Sequence, residues 1–266
     1  ARRRAPRGEG SRHAPGRGPA APRGAMLARA ARRPHWARLG GLRVQRRWAR
    51  DDFSAEAAAW QRTYAATSRD ELLAAYAEWA PSYDVDALEL FGYAAPEAMA
   101  DVLARHLDDR GSPILDAGAG TGILGKALAA RGFTQLTGVD ACAPMLERAR
   151  AKRCYASLLE ADLCDANAAP RELRGTFAAV ACVGTVTYNH IDAGAAVGAW
   201  RQWLRPRGLL CLAVRDDFWR DDAGAGAAGV AATCAALEAN GTWALVEARA
   251  PHAPPPPRGA RDARRV

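Results

Sequence analysis

Five short apolar runs, at residues 114–116, 136–140, 155–160, 177–183 and 208–214, are separated by segments with the period of a helix. That alternation is a β-α-β series, and it predicts an α/β fold: a doubly wound, mainly parallel sheet of Rossmann-like type with helices on both faces. Sheets of this kind bind ligands beyond the carboxyl ends of their strands, so the residues that close each run are the first to inspect. Upstream, Pro96 to Leu107 places Met99, Val102, Leu103, His106 and Leu107 on one helical face with Gly111 beyond its end, and His106 reads there as a packing residue. Downstream, a helix near 228–239 and a strand near Trp243–Glu247 precede RAPHAPPPPRGARDARRV. Proline cannot donate to a ladder, so the sheet is expected to lack its last strand and to leave an edge exposed.

The first run closes on an acid and a glycine turn, ILDAGAGTGILGKAL: Asp116, then Gly118, Gly120 and Gly122, then a helix carrying Ile123, Leu124, Ala127 and Leu128 on one side. Glycines let the chain turn sharply and let a ligand approach backbone N–H groups at a helix start. Gly120, Gly122 and Gly125 also satisfy a dinucleotide fingerprint, with Asp140 twenty residues after Gly120. Charge separates the two readings. The usual fingerprint puts its first glycine directly after the strand and a pyrophosphate at the turn. Here Asp116 holds the strand end, and a carboxylate repels pyrophosphate but suits a ligand with an ammonium group. S-adenosylmethionine is such a ligand.

The next two strand ends are acidic as well. Asp140 closes LTGVD, where a carboxylate can accept both ribose hydroxyl protons. Ala141 follows it, and Met145 on the next helix is placed to cover an adenine face. Asp162 closes LLEADL, where it can accept from the adenine N6 amine, and Leu163 can cap the ring. Val183, ending the fourth run, is counted with these cofactor-facing positions. Each acid alone would read as a surface residue or helix cap. Three acids at three successive strand ends argue against that. His190 follows the fourth run in TVTYNH, and its near-neutral pKa suits a general base, although a loop histidine facing water fits the same spacing.

LDAGAGTG, GVD and EADL resemble the first three motifs of class I S-adenosylmethionine-dependent methyltransferases, and LRPRGLLCL is similar to their fifth-strand motif. The segments YAEWAPSYDVDALELFGYAAPE, ARGFTQLTGVDACAPMLERAR, VGTVTYNHID and LEANGTW resemble the methyltransferase-like proteins named for the Williams–Beuren region. The resemblance implies methyl transfer from S-adenosylmethionine, with Trp79 and Tyr83 in a lid over the cofactor. It departs at FAAV, where Ala178 stands in place of the family's usual acid. Two other functions stay open: a non-catalytic S-adenosylmethionine-binding or scaffolding protein, and an NAD(P)-dependent oxidoreductase.

Charge bears on the partners. Residues 1–50 hold fifteen Arg against one acid, Glu9, a charge of +14 that leaves −6 for the rest of a chain whose net is +8. A nucleic-acid role is therefore disfavoured, since the positive charge sits in a tail and no basic-aromatic array appears in the domain. The acceptor reads as a small molecule or a protein side chain, and the chain as a monomer. Its parts read as a disordered Arg-rich tail at 1–55, a methyltransferase domain at 56–249 with N-terminal lid helices, and a disordered Pro/Arg-rich tail at 250–266. The first Met is Met26, and residues 26–50 carry regularly spaced Arg with no acid, the pattern of a mitochondrial presequence. The expected location is mitochondrial or cytoplasmic. Six Cys without a C-x-x-C pair read as reduced, buried thiols with no metal site, and no apolar run is long enough to span a bilayer.

Overall fold

The structure is a computed structural model that describes residues 57–163, 171–186, 198, 200–214 and 230–247. The two expected tails, the 26–50 segment, Cys164 and His190 lie outside the described residues.

Five parallel strands form one sheet in the order β3-β2-β1-β4-β5. They are β1 (Ile114–Ala117), β2 (Leu136–Asp140), β3 (Ser157–Glu160), β4 (Phe177–Val183) and β5 (Leu204–Ala213). β1 and β4 are almost wholly buried, as strands covered on both faces must be, and their sequences are apolar throughout except at Asp116. The strand order reverses between β1 and β4, so the crevice that such a sheet offers to a ligand opens above the glycine turn.

Side chains alternate between two cores. Leu115, Val139, Phe177, Val180 and Cys182 pack on one face with Trp200, Trp203 and Val230 of α7 (Val230–Ala239). Ile114, Leu136, Ala179 and Ala181 pack on the other with α4 (Ala95–His106) and α5 (Ile123–Ala130), through Leu103, Leu124 and Leu128. Each such fully buried leucine contributes about 2 kcal/mol of transfer free energy. Ala178 belongs to this second cluster, where a carboxylate would be buried among aliphatic groups. The N-terminal helices α1 (Ala57–Ala65) and α2 (Arg69–Trp79), followed by the short α3 (Tyr83–Val85) and a π-helical turn at Asp86–Leu90, form a cap. Ser68 starts α2 by accepting from the Glu71 N–H at 3.2 Å, while Glu71 accepts from the Thr67 N–H at 2.8 Å. The cap leans on α6 (Ala143–Ala151) through Ala80, Leu73, Tyr76, Cys142 and Met145.

Several expectations are corrected. β3 begins at Ser157, because Tyr155 leaves the ladder to pack under the glycine turn. β5 begins at Leu204 and bulges: its pairing jumps from Phe177–Leu204 to Ala179–Leu209, with Pro206 and the positive-φ Arg207 in the extra length. Residues 243–247 form no strand among the described residues. Trp243 N–H donates to Leu237 O at 3.2 Å, and Glu247 bonds Arg105 at 2.6 Å and His106 at 2.7 Å. His106 is thus exposed and paired with a carboxylate, not packed in the core. No helix among the described residues is long and apolar enough to cross a membrane, and no side-chain group among them could hold a metal ion.

Candidate functional site

At the end of β1 the chain folds back on itself through three glycines with positive φ: Gly118 (82°), Gly120 (51°) and Gly122 (87°). The N–H groups of Gly118 and Ala119 both donate to Val139 O, at 2.8 and 3.0 Å, which hangs the turn on β2. Asp140, at the end of β2, completes the fastening. One carboxylate oxygen accepts from the Gly120 N–H at 2.8 Å and the other from the Cys142 N–H at 2.9 Å. Burial raises the Asp140 pKa, and those backbone donors together with the Arg69 charge oppose the rise. Both oxygens keep a second lone pair for a ligand donor.

A cavity opens beside this carboxylate. Its floor is Gly118, Gly120, Asp140 and Ala141, and its far wall is Val183, Gly184 and Thr185 at the end of β4. Met145, Leu163 and Cys142 close one side. The cap supplies the roof through Arg69, Leu72, Leu73, Tyr76 and Tyr83. Gly118 is required by contact as well as by its φ, since a Cβ there would stand 2.1 Å from Thr185 Oγ1. Burial raises the pKa of Tyr76 and Tyr83 far above the ordinary phenol value, so both roof phenols are neutral. Burial likewise pushes the Cys182 thiol up to about 12, against the hydrogen bonds from Thr185.

Eight of the residues singled out from the sequence thus share one cavity: Tyr83, Gly118, Gly120, Asp140, Ala141, Met145, Leu163 and Val183. Three others stand off its wall. Trp79 is a post beneath Tyr83: it meets that ring edge-on at 4.6 Å and donates its indole N–H to the buried Asp86 at 2.6 Å, which Ser82 also bonds at 2.9 Å. Asp162 is forked by Arg69, at 3.0 Å from Nε and 2.8 Å from Nη2. Asp116 lies under the turn, 2% exposed, and accepts from the Tyr155 hydroxyl at 2.6 Å. Burial pushes its carboxyl up to about 7, the Tyr155 bond works against that, and the Asp140 charge adds to it.

The Tyr155 ring fills the slot that glycines leave. A Cβ at Gly125 would come within 2.2 Å of it, and Cβ atoms at Gly122 and Gly138 within 3.0 Å. The glycine spacing that also fits a dinucleotide fingerprint is therefore accounted for by an aromatic ring at its last position. Lys152, the nearby cation, is engaged elsewhere. It pairs with Asp84 at 2.6 Å and donates to Thr121 O at 2.5 Å, while Thr121 Oγ1 donates to Asp84 at 2.5 Å. This cluster ties the cap to the glycine turn.

Sequence reasoning passed over Arg69, Leu72, Leu73, Tyr76, Cys142, Gly184 and Thr185. Leu72, Tyr76 and Trp79 do recur at helical spacing on α2, a stripe that could have been read. Arg69 carries no such signal.

Residues 114–208 match the family model described as a methyltransferase domain. Those residues run from β1 into β5 and include the glycine turn and the acid that closes β2. The chain is similar to methyltransferase-like protein 27 of Homo sapiens, 38% identical over 145 residues, which is 53% of this chain and 56% of that protein. The match thus spans little more than half the length of that relative. Among solved structures, an S-adenosyl-L-methionine-dependent methyltransferase of Methanococcus maripaludis is 16% identical over 62% of this chain and 72% of its own, with a TM-score of 0.44. DesVI of Streptomyces venezuelae is 26% identical over 50% of this chain and 56% of its own, with a TM-score of 0.39.

Proposed function

We propose that this chain binds S-adenosylmethionine in the cavity above the glycine turn and catalyses transfer of its methyl group to a small-molecule or protein acceptor. The observation that carries the reading is the position of Asp140: a carboxylate in the cavity lining, fixed through both oxygens by backbone N–H groups.

The residues present fit that cofactor. Asp140 can accept from a ribose diol, and Ala141, Met145 and Leu163, which line the same cavity, can offer apolar surface to a flat base. Gly120 leaves open space where a Cβ would stand, so a ligand can come against the backbone there. A dinucleotide fits less well. The Gly120 N–H that a pyrophosphate would use is already taken by Asp140, and Lys152 and Arg69 are both held by carboxylates.

When bound, the cofactor supplies a sulfonium-activated methyl group for in-line displacement by a lone pair. The chain's share is alignment and exclusion of water. Tyr76 and Tyr83 cover the cavity with neutral rings, which helps to exclude solvent. His190, four residues beyond the described end of the β4 loop, remains the candidate for taking a proton from the acceptor.

Calorimetry with S-adenosylmethionine, S-adenosylhomocysteine and NADH tests the cofactor. The first two should bind and NADH should not, and Asp140→Ala should abolish binding. Unchanged affinity in that variant removes the ribose assignment. Methyl-labelled cofactor incubated with fractionated extract should label a small-molecule or a protein fraction. His190→Asn should lower that turnover while sparing cofactor affinity.

A further inference from the structure

Arg69 opens α2, far from every strand in sequence, yet its side chain is part of the cavity wall. Its guanidinium is held in a fork, Nε to one oxygen of Asp162 at 3.0 Å and Nη2 to the other at 2.8 Å, so the orientation of its plane is fixed. Asp162 itself does not line the cavity, whereas its neighbour Leu163 does. Leu72 from the cap and Met145 from α6 line the same space. A guanidinium plane stacks on flat aromatic rings as an ammonium cannot.

On the reading that this cavity takes S-adenosylmethionine, we propose that Arg69 is a cofactor-binding residue whose guanidinium covers the adenine end, and that Asp162 is its positioning residue. Asp162 then acts through Arg69 and does not read the adenine N6 amine itself. The two residues form one unit joining the N-terminal helices to the loop after β3. Both side chains are partly solvent-exposed, 31% for Arg69 and 39% for Asp162, and an ion pair at that exposure adds little to folding. Its loss should therefore be felt in binding and leave the fold standing.

The test measures affinities for S-adenosylhomocysteine and for its 6-oxo analogue, S-inosylhomocysteine, by calorimetry on the full chain. The analogue lacks the N6 amine and keeps the flat ring. Wild-type protein should bind S-adenosylhomocysteine; if it does not, the cofactor reading itself falls, separately from the role of Arg69. Arg69→Gln and Asp162→Asn should each weaken S-adenosylhomocysteine binding by about tenfold, and the double variant should lose no more than either single one, because the two act as a unit. Asp162→Asn should leave the ratio of the two affinities at its wild-type value. Wild-type affinity in Arg69→Gln, additive losses in the double variant, or a collapse of that ratio in Asp162→Asn would each overturn the proposal. Should Arg69→Gln fail to fold, Arg69→Lys keeps the charge but not the fork. It should still bind more weakly, and wild-type affinity there overturns the proposal equally.

Discussion

Replacing Asp116 by Asn should make the protein more stable at pH 8, and by only about a third as much at pH 5. The Asp116 carboxyl is 2% exposed, its pKa is pushed up to about 7 by burial, and the Tyr155 hydroxyl at 2.6 Å only partly offsets that. In the unfolded chain the group titrates near 3.9. Between those values the folded protein holds a proton that the unfolded chain has released, so stability falls as pH rises from about 4 to about 7. Three units at about 1.4 kcal/mol each give about 4 kcal/mol, an upper bound on what ionisation of Asp116 costs above pH 7. Asparagine has the shape of the protonated acid and can still accept from Tyr155, yet it never ionises. Urea unfolding of wild-type and Asp116→Asn protein across pH 5 to 8 measures the difference. The gap between the two should open with rising pH, the variant being the more stable. Parallel curves, or a gap that closes, would refute the assignment of a raised Asp116 pKa.

The same geometry sets other expectations. Gly118→Ala should lower Tm by an amount corresponding to at least about 1–3 kcal/mol, because the new Cβ meets Thr185 Oγ1 at 2.1 Å and φ is 82°; a Tm equal to wild type would contradict the contact. Trp79→Phe keeps the aromatic post but leaves the buried Asp86 without its indole donor, at a cost of about 1–3 kcal/mol in chemical denaturation, and no loss would mean Ser82 alone satisfies that carboxylate. Glu247 is held below the usual carboxylate range by His106 and Arg105 despite partial burial, so it contributes stability above its unfolded pKa that is lost as pH falls. Glu247→Gln should therefore cost up to about 1 kcal/mol at pH 7 and nothing near pH 3, and an equal cost at both would show that packing and not charge is responsible.

Much of the architecture is legible in the chain because its signals are local. The spacing of apolar runs specifies parallel strands joined by helices, and Gly118, Gly120 and Gly122 specify a turn that only residues tolerant of positive φ can make. The strand expected at 243–247 fails for the opposite reason. An apolar alternation makes a strand only when a partner lies beside it, and Trp243 and Glu247 are tied instead to α7 and α4.

The acids divide along the same line. In sequence, Asp116, Asp140 and Asp162 look equivalent, each closing a strand. In three dimensions only Asp140 reaches the cavity wall. Asp116 shares the face of Ile114, as alternation along a strand requires, and its partner Tyr155 lies 39 residues away. Asp162 is claimed by Arg69, 93 residues earlier. The sequence by itself determined the sheet, the turn and the presence of carboxylates at the strand ends. Which carboxylate faces the cavity, which is buried against a phenol and which holds an arginine was decided only by tertiary structure, because the groups that compete for each acid come from distant parts of the chain.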